Sequence, residues 1–266
     1  LPAAAATAQQ LDCQIQVVCA PEFSGVWKLL PAVEKVIPFS FAGASLADWA
    51  NLLGSVRDPD FQLSVNLASG RQVDLMLSMS HIPTRVARQG FSSTERVTPA
   101  TEGWPDQALE AYLRPIGVSL DADRFRLSLP SKALDAATKA LPPGDGPVLL
   151  MASKAGPDDW PVAHWQQLPT RVGTSLSGLR HVAVGPAATM AAPLLERAAL
   201  VAASDVVLAS DPITIELALL CGVPLVALGR QPSRLPAREG VKGLPGGTDG
   251  LASLPQDEVL AALGLG

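Results

Sequence analysis

The chain alternates between short runs of apolar residues and longer segments in which apolar residues recur every three or four positions. Residues 148–152 form a continuous apolar run of strand length, and residues 45–56 place Trp49, Leu52 and Val56 on one face of a helix. Strands that alternate with helices of about ten or more residues predict parallel sheets with right-handed helical crossovers. The pattern therefore predicts the α/β class.

The same pattern gives the approximate bounds of each element. The predicted strands are residues 14–19, 35–39, 61–67, 84–87, 148–152, 181–184, 205–209 and 225–228. The predicted helices are residues 1–10, 22–30, 45–56, 71–80, 105–117, 161–172, 190–203 and 212–221. Ser45 is a candidate N-cap, and proline near several helix starts with glycine after two helix ends is typical of helix boundaries.

A change in composition divides the alternating pattern into two halves. Residues 141–147 read Leu-Pro-Pro-Gly-Asp-Gly-Pro, which is typical of a turn-rich linker. We predict a first Rossmann-like domain at residues 1–117, a linker at 118–146 and a second Rossmann-like domain at 147–266. Two such parallel-sheet domains face a cleft, and ligands of open α/β sheets bind at the carboxyl ends of the strands.

Composition and charge exclude several classes of protein. Hydrophobic residues make up 48% of the chain and charged residues 17%, so a disordered chain is excluded. The net charge of −5 argues against a nucleic-acid partner, which requires a basic face. The longest apolar run, residues 217–228, contains Gly222 and Pro224 and is shorter than the roughly 20 residues of a bilayer span.

Cysteine usage indicates a reducing compartment. The three cysteines, Cys13, Cys19 and Cys221, are odd in number and have the spacing of neither a disulfide framework nor a zinc site. We therefore predict a cytoplasmic protein.

The most informative segment is residues 205–229, which read as strand, turn, helix, turn and strand. Asp211 is placed to cap the helix, with a proline next to it at the first helical position. The amides of Ile213 and Thr214 then point out of the helix start, where the macrodipole suits a diphosphate. Glu216 is placed to accept a hydrogen bond from a sugar or ribose hydroxyl. An ordinary capped helix explains the same residues, so both interpretations stay open.

A second polar loop follows the predicted strand at residues 148–152. Ser153 and Lys154 stand at the carboxyl end of that strand, where a hydroxyl and an ammonium group can hold a phosphate. The alternative is a solvated loop in which Trp160 and Trp165 anchor the next helix.

The sequence indicates no other chemistry. His81, His164 and His181 are far apart, so no metal site is predicted. Nucleophile-elbow, Walker A and dinucleotide-binding glycine motifs do not occur. The adjacent carboxylates Asp158 and Asp159 are interpreted as loop residues that face water.

Together, these stretches resemble the family 9 glycosyltransferases, the group that holds the heptosyltransferases of lipopolysaccharide assembly. Residues 211–229 resemble the family signature, in which a helix ends in Ala-Leu-Gly-x-Pro before an apolar strand. Residues 153–168 resemble its phosphate loop and Trp-Pro-x-x-x-Trp helix. Residues 1–23 and 31–36 resemble the segment after the family's first strand, and residues 82–85 resemble its short strand with a following Arg.

The resemblance implies a GT-B fold with an acceptor-side first domain and a second domain for the nucleotide sugar. It implies metal-independent hexosyl or heptosyl transfer from a nucleotide-diphospho-sugar, with ADP-heptose as one candidate, to lipopolysaccharide or another glycan at the inner membrane face. No cofactor besides the donor substrate is expected. The nucleotide-sugar site that the resemblance implies comprises Ser153, Lys154, Asp211, Ile213, Thr214 and Glu216.

Departures from the family pattern keep two other functions open. Ile213 stands where glycine is usual, Glu216 where histidine is usual, and Asp158 and Asp159 where a lysine is usual. These replacements favour a non-catalytic relative that binds a nucleotide or glycan without turnover. Another GT-B enzyme, such as a nucleotide-sugar epimerase, is the second alternative and would need no acceptor.

The first predicted element, the helix at residues 1–10, follows no strand. A sheet built from βα units is expected to open with a strand, so we expect that strand upstream of Leu1. The resemblance implies that the same strand delivers the catalytic base. We therefore assign no catalytic residue, and we expect the chain that begins at Leu1 to be inactive in transfer.

Overall fold

A computed structural model describes residues 1–187, 189–190 and 193–265, and it divides the chain into two compact units, Leu1–Ala122 and Asp123–Gly266. Each unit is built from helices and parallel strands. The predicted α/β class with two parallel-sheet halves is therefore confirmed. The bounds predicted for the two domains and the linker stay a prediction.

The first unit begins with a helix and then alternates strands with helices. Its elements are α1 (Pro2–Leu11), β1 (Ile15–Cys19), β2 (Val33–Pro38), α2 (Leu46–Arg57), β3 (Leu63–Asn66), α3 (Arg71–Met79), β4 (Thr84–Ala87), β5 (Glu95–Arg96), α4 (Pro105–Ala108) and α5 (Glu110–Leu113). Strand β1 pairs with β2, while β3, β4 and β5 form a separate sheet in that order. Strand pairing therefore divides this unit into two small parallel sheets.

Two apolar clusters stabilise the first unit. One joins α2 and α3 to the first sheet through buried side chains that include Leu52, Val73 and Met76, with Val18 and Ile37 packed against them. The other consists of Trp104, Leu113, Val118, Leu120 and Ala122, against which Ala3 and Ala6 of α1 pack. The start of α2 confirms the predicted cap, because Ser45 Oγ accepts from the Asp48 amide at 3.2 Å and Asp48 Oδ2 accepts from the Ser45 amide at 2.8 Å.

The second unit contains a single five-stranded parallel sheet. Its elements are α6 (Ser131–Ala140), β6 (Val148–Ala152), α7 (Val162–Ser175), β7 (Arg180–Val184), α8 (Leu195–Ala202), β8 (Val206–Ala209), α9 (Pro212–Cys221), β9 (Leu225–Leu228), β10 (Val241–Leu244) and α10 (Gln256–Ala262). The strand order is β10-β9-β8-β6-β7. Every residue of β6 and β9 is buried, as expected for central strands with helices on both faces.

Several predicted helices differ from the structure. Residues 22–30 form two short 3-10 turns, Pro21–Phe23 and Val26–Leu29, instead of one helix. Residues 105–117 break into α4, α5 and a 3-10 turn. Pro115 has no amide to donate to Ala111, which accounts for the end of α5 at Leu113. The helix predicted at 190–203 is observed only from Leu195, and residues 191 and 192 lie outside the described residues.

Other elements were not predicted at all. Helix α6 lies inside the segment predicted as a linker and packs against α8. Helix α10 and the short strands β5 and β10 were also missed.

In the described part of the chain, no helix is both long enough and apolar enough to cross a bilayer.

The three cysteines are free thiols. Burial raises the pKa of the Cys221 thiol to about 12, so this residue serves α9 as a small apolar side chain.

Candidate functional site

The strand order of the second unit indicates where along the carboxyl ends of the strands a ligand is expected to bind. The chain passes from β6 to β7 on one side and then returns to β8 on the other side of β6. The crossovers therefore diverge between β6 and β8. In open α/β sheets, ligands bind outside the carboxyl ends of the strands at this switch point.

The two predicted binding segments meet at this switch point. The carbonyl of Ala152, the last residue of β6, accepts from the amides of Ser210 and Asp211 at 2.9 and 3.1 Å. In return, the Lys154 amide donates to Ser210 Oγ at 2.9 Å. The loop after β6 and the start of α9 therefore lie side by side, as the sequence predicted, and Ser210 joins them.

Asp211 is the N-cap of α9. Its Oδ2 accepts from the Thr214 amide at 2.9 Å and from the Thr214 hydroxyl at 2.6 Å, and its Oδ1 accepts from the Ala187 amide at 3.4 Å. The side chain of Asp211 is almost fully buried, with a residue exposure of 2%. The predicted capping role is confirmed, and the cap also contacts the loop after β7.

The cap changes which amides remain available at the helix start. The Thr214 amide is bound to Asp211 and Thr214 is 0% exposed, so the expectation of a free Thr214 amide is wrong. The amide of Ile213, by contrast, has no acceptor among the residues that the structure describes. Ile213 is half-buried, so we expect a phosphate oxygen to be able to reach its N–H.

Ser153 belongs to a hydrogen-bond network inside its own loop. Its hydroxyl donates to Asp159 Oδ2 at 2.5 Å and accepts from the Ala155 amide at 2.9 Å. Asp159 is only 5% exposed and also accepts from the Trp160 amide, so the interpretation that it faces water is wrong. The network fixes the loop in a turn in which Ala155 has a positive φ of 57°.

The indole of Trp160 anchors the same loop to the core. It is 1% exposed and donates to the Leu254 carbonyl at 2.9 Å. The anchoring interpretation of this tryptophan is therefore correct, and it leaves Lys154 as the loop residue suited to a ligand. Within the described residues, the ammonium group of Lys154 makes no ion pair.

Arg197 of α8 is a site residue that sequence reasoning missed. Its guanidinium donates to Thr214 Oγ1 at 3.0 Å and to the Gly185 carbonyl at 2.8 Å, and it lies 3.8 Å from Asp211 Oδ2. Its side chain is 20% exposed. The sequence carries no signal for this contact, because the residue lies in the first turn of a different helix, 17 positions from Thr214.

Glu216 lies one turn into α9 and pairs with Arg230, which follows β9. Arg230 Nη2 donates to Glu216 Oε1 at 3.4 Å, and each side chain is more than a third exposed. An exposed pair of this kind contributes little to stability. Both side chains remain able to contact a ligand at the carboxyl edge of the sheet.

A separate cavity lies in the first unit, at the carboxyl ends of β3 and β4. It has a volume of about 330 Å³ and is lined by residues that include Asn66, Arg71, Asp74, Gln89 and Phe91. The Phe91 side chain is 61% exposed, and Asp74 Oδ1 accepts from Ser92 Oγ at 2.7 Å. An exposed aromatic ring beside amide, carboxylate and guanidinium groups is suited to a polar ring-shaped ligand.

The structure gives no indication of a bound metal. Among the described residues, no group of three or more His, Cys, Asp and Glu side chains is placed to hold an ion. Metal-independent chemistry stays a prediction.

Comparison with known proteins rests on structure alone. No protein-family model and no curated protein matches the sequence. The structure of ADP-heptose lipopolysaccharide heptosyltransferase II from E. coli matches with a TM-score of 0.75 at 18% identity, over 99% of this chain and 92% of that one. A family 9 glycosyltransferase from Veillonella parvula matches with a TM-score of 0.74 at 15% identity, over 99% and 93% of the two chains.

A further match is the E. coli heptosyltransferase WaaC with ADP, which has a TM-score of 0.69 at 14% identity, over 99% of this chain and 93% of that one. Identities this low establish a common fold and leave the activity to be argued from the site. The resemblance read from the sequence is therefore confirmed at the level of architecture, and this chain has the GT-B-type fold of the family 9 glycosyltransferases.

Proposed function

We propose that this protein is a glycosyltransferase that takes a sugar from a nucleotide-diphospho-sugar. The observation that carries the proposal is the contact between the loop after β6 and the start of α9 at the switch point of the second sheet. That position combines a helix-start amide that has no acceptor and a lysine that has no ion-pair partner, both among the residues that the structure describes. This is the chemistry that a diphosphate requires.

The proposed mechanism assigns a modest role to each group. The Ile213 amide and the Lys154 ammonium group stabilise the leaving diphosphate as it gains charge. Ser153 and Asp211 act indirectly, because the first fixes the loop and the second fixes the helix start. The Glu216–Arg230 pair lies where hydroxyl groups of the donor can bind. Removal of the acceptor proton requires a general base, and no residue of this chain is assigned to that step.

The donor and acceptor are proposed from the fold and from the cavity of the first unit. A protein of the same fold has been solved with ADP, which makes an adenine diphosphate donor, and ADP-heptose among them, the first to test. The cavity beside Phe91 and Arg71 is suited to a glycan acceptor, with the ring of Phe91 as a stacking surface. We propose lipopolysaccharide or another glycan as acceptor, a cytoplasmic location and peripheral contact with the inner membrane.

The direct test combines binding with turnover. ADP, UDP and their sugar conjugates are titrated by calorimetry against the protein. Transfer to lipopolysaccharide acceptors is then assayed by mass spectrometry. Diphosphate-dependent binding and a glycosylated product are the expected results. Failure of every nucleotide diphosphate to bind would contradict the proposal.

A non-catalytic nucleotide- or glycan-binding protein is the second candidate. The observation that favours it is the occupation of polar groups at the site: the Ser153 hydroxyl and the Thr214 amide are both bound within the protein. This candidate predicts nucleotide binding without product under any acceptor. The same two assays therefore separate it from the transferase.

A further inference from the structure

The buried cap of α9 places a negative charge next to the group that is proposed to bind a diphosphate. Asp211 Oδ2 binds the Thr214 amide. The preceding amide, that of Ile213, has no acceptor in the described part of the chain. A carboxylate so close to a bound phosphate repels it, and the repulsion is strong where water is largely excluded. The helix start therefore needs a compensating positive charge if it is to hold an anion.

Arg197 supplies that charge through a defined geometry. Its guanidinium donates to Thr214 Oγ1 at 3.0 Å, and the same hydroxyl donates to Asp211 Oδ2 at 2.6 Å. The guanidinium itself is 3.8 Å from that carboxylate oxygen. The Asp211 carboxylate is thus hydrogen-bonded to Thr214 and paired with the positive charge of Arg197.

We propose that Arg197 is a positioning residue that balances the charge of the Asp211 cap and thereby sets how tightly the start of α9 holds a pyrophosphate group. The inference rests on the proposed function, because it concerns the same diphosphate subsite. Arg197 also donates to the carbonyl of Gly185, the first residue of the loop after β7. A purely structural role as a link between that loop and α9 is therefore the alternative that the experiment must exclude.

The experiment measures the affinity of inorganic pyrophosphate and ADP by calorimetry in a set of full-length variants. Arg197→Gln removes the positive charge, Arg197→Lys keeps it, and Asp211→Asn removes the negative charge while retaining an oxygen that can cap the helix. The double variant Arg197→Gln/Asp211→Asn removes both charges. Arg171→Gln, in an ion pair with Asp257 in the same unit, is the matched control.

A charge-balancing role predicts a specific pattern. Arg197→Gln weakens pyrophosphate and ADP roughly tenfold at low ionic strength, and the loss shrinks as salt is added. Arg197→Lys stays within about threefold of the wild type, and Asp211→Asn alone binds pyrophosphate more tightly than the wild type. The affinity of the double variant for pyrophosphate returns to within about threefold of the wild type, and Arg171→Gln leaves the affinities for pyrophosphate and ADP unchanged.

The other outcomes overturn the inference in distinguishable ways. If the wild type binds neither pyrophosphate nor any nucleotide diphosphate, the proposed function fails and this inference fails with it. If the wild type binds and Arg197→Gln binds equally well, only the role of Arg197 is wrong. If Arg197→Gln lowers the affinity for pyrophosphate and the added Asp211→Asn substitution of the double variant does not restore it, Arg197 is a structural link. Should Arg197→Gln not fold, a failure of Asp211→Asn to tighten binding overturns the inference.

Discussion

Asp211 caps a helix and carries a charge, and a single substitution to alanine removes both. Asp211→Ala leaves the Thr214 amide and hydroxyl without their acceptor, so we expect the free energy of unfolding to fall by about 1 kcal/mol, the typical value of a helix cap. Nucleotide affinity is expected to fall as well, because fraying of the helix start that presents the Ile213 amide outweighs the gain from removing the Asp211 charge, a gain that Asp211→Asn measures by itself. Chemical denaturation and calorimetry with ADP measure the two effects.

Asp211→Asn is the control for this substitution, because its side-chain oxygen can still accept from the Thr214 amide. It is expected to keep most of the stability that Asp211→Ala loses. Unchanged stability and unchanged affinity in Asp211→Ala would remove both roles from this residue.

Lys154 is expected to contribute directly to the affinity for a nucleotide diphosphate. Its amide is fixed by Ser210, while its ammonium group makes no ion pair within the described residues. Lys154→Ala is expected to weaken ADP binding roughly tenfold, about 1.4 kcal/mol, because a phosphate loses a charged donor. The melting temperature stays nearly unchanged, since the loop itself is fixed by Ser153 and Asp159.

Lys139, an exposed lysine of α6, provides the matched control. Lys139→Ala is expected to change neither nucleotide affinity nor stability. Equal affinity in the wild type and Lys154→Ala would make Lys154 an ordinary loop lysine.

The end of helix α9 depends on a glycine in the left-handed conformation. Gly222 has a φ of 77°, in the left-handed region, and an added Cβ would overlap the side chain of Arg126. Gly222→Ala is therefore expected to lower the free energy of unfolding by about 1–2 kcal/mol. Gly173 lies inside α7 with open space around its Cβ position, so Gly173→Ala is expected to raise it by roughly 0.5–1 kcal/mol.

Differential scanning calorimetry of the two alanine variants decides this prediction. Opposite signs are expected, because only Gly222 requires a backbone conformation that L side chains avoid. A stabilising Gly222→Ala would show that the end of α9 relaxes without cost.

The elements that sequence reasoning found are those with strong local signals. Ser45 at the start of α2, Asp211 at the start of α9 and Gly222 at its end act through neighbours a few positions away. The early end of α5 depends on Pro115, whose effect was not weighed against the periodic apolar pattern. Strand β5 has two residues and is too short to show any alternation.

The candidate site divides in the same way. Ser153, Lys154 and Asp211 follow predicted strands, and parallel strands bring their carboxyl ends to one edge, so their meeting could be predicted. The burial of Asp159 and the contact of Arg197 with Thr214 depend on the path of the loop and on the packing of α8 against α9. A single sequence contains no periodic signal for such contacts.

At the scale of the whole molecule, strand order carries information that the pattern of elements lacks. The alternation predicted parallel sheets in both halves. It did not predict that β6 lies between β7 and β8. That order places the switch point, where a ligand is expected, at the carboxyl ends of β6 and β8. It also did not show which pairs of strands remain unjoined in the first unit.

The two units differ in how completely their strands are paired, and this predicts a difference in local stability. Strands β6 and β8 have a partner on each side, whereas among the described residues β1 pairs only with β2 and β3 pairs only with β4. All five residues of β1 are only partly buried, while all five of β6 are buried. We expect amide hydrogens of β1 and β3 to exchange faster than those of β6 and β8, because an unpaired edge leaves amides open to water.

Hydrogen exchange followed by mass spectrometry tests this, with β7, an edge strand of the second unit, as the internal control. Edge β7 should exchange faster than β6. Equal protection of β1, β3 and β6 would contradict the prediction that unpaired edges open β1 and β3 to exchange.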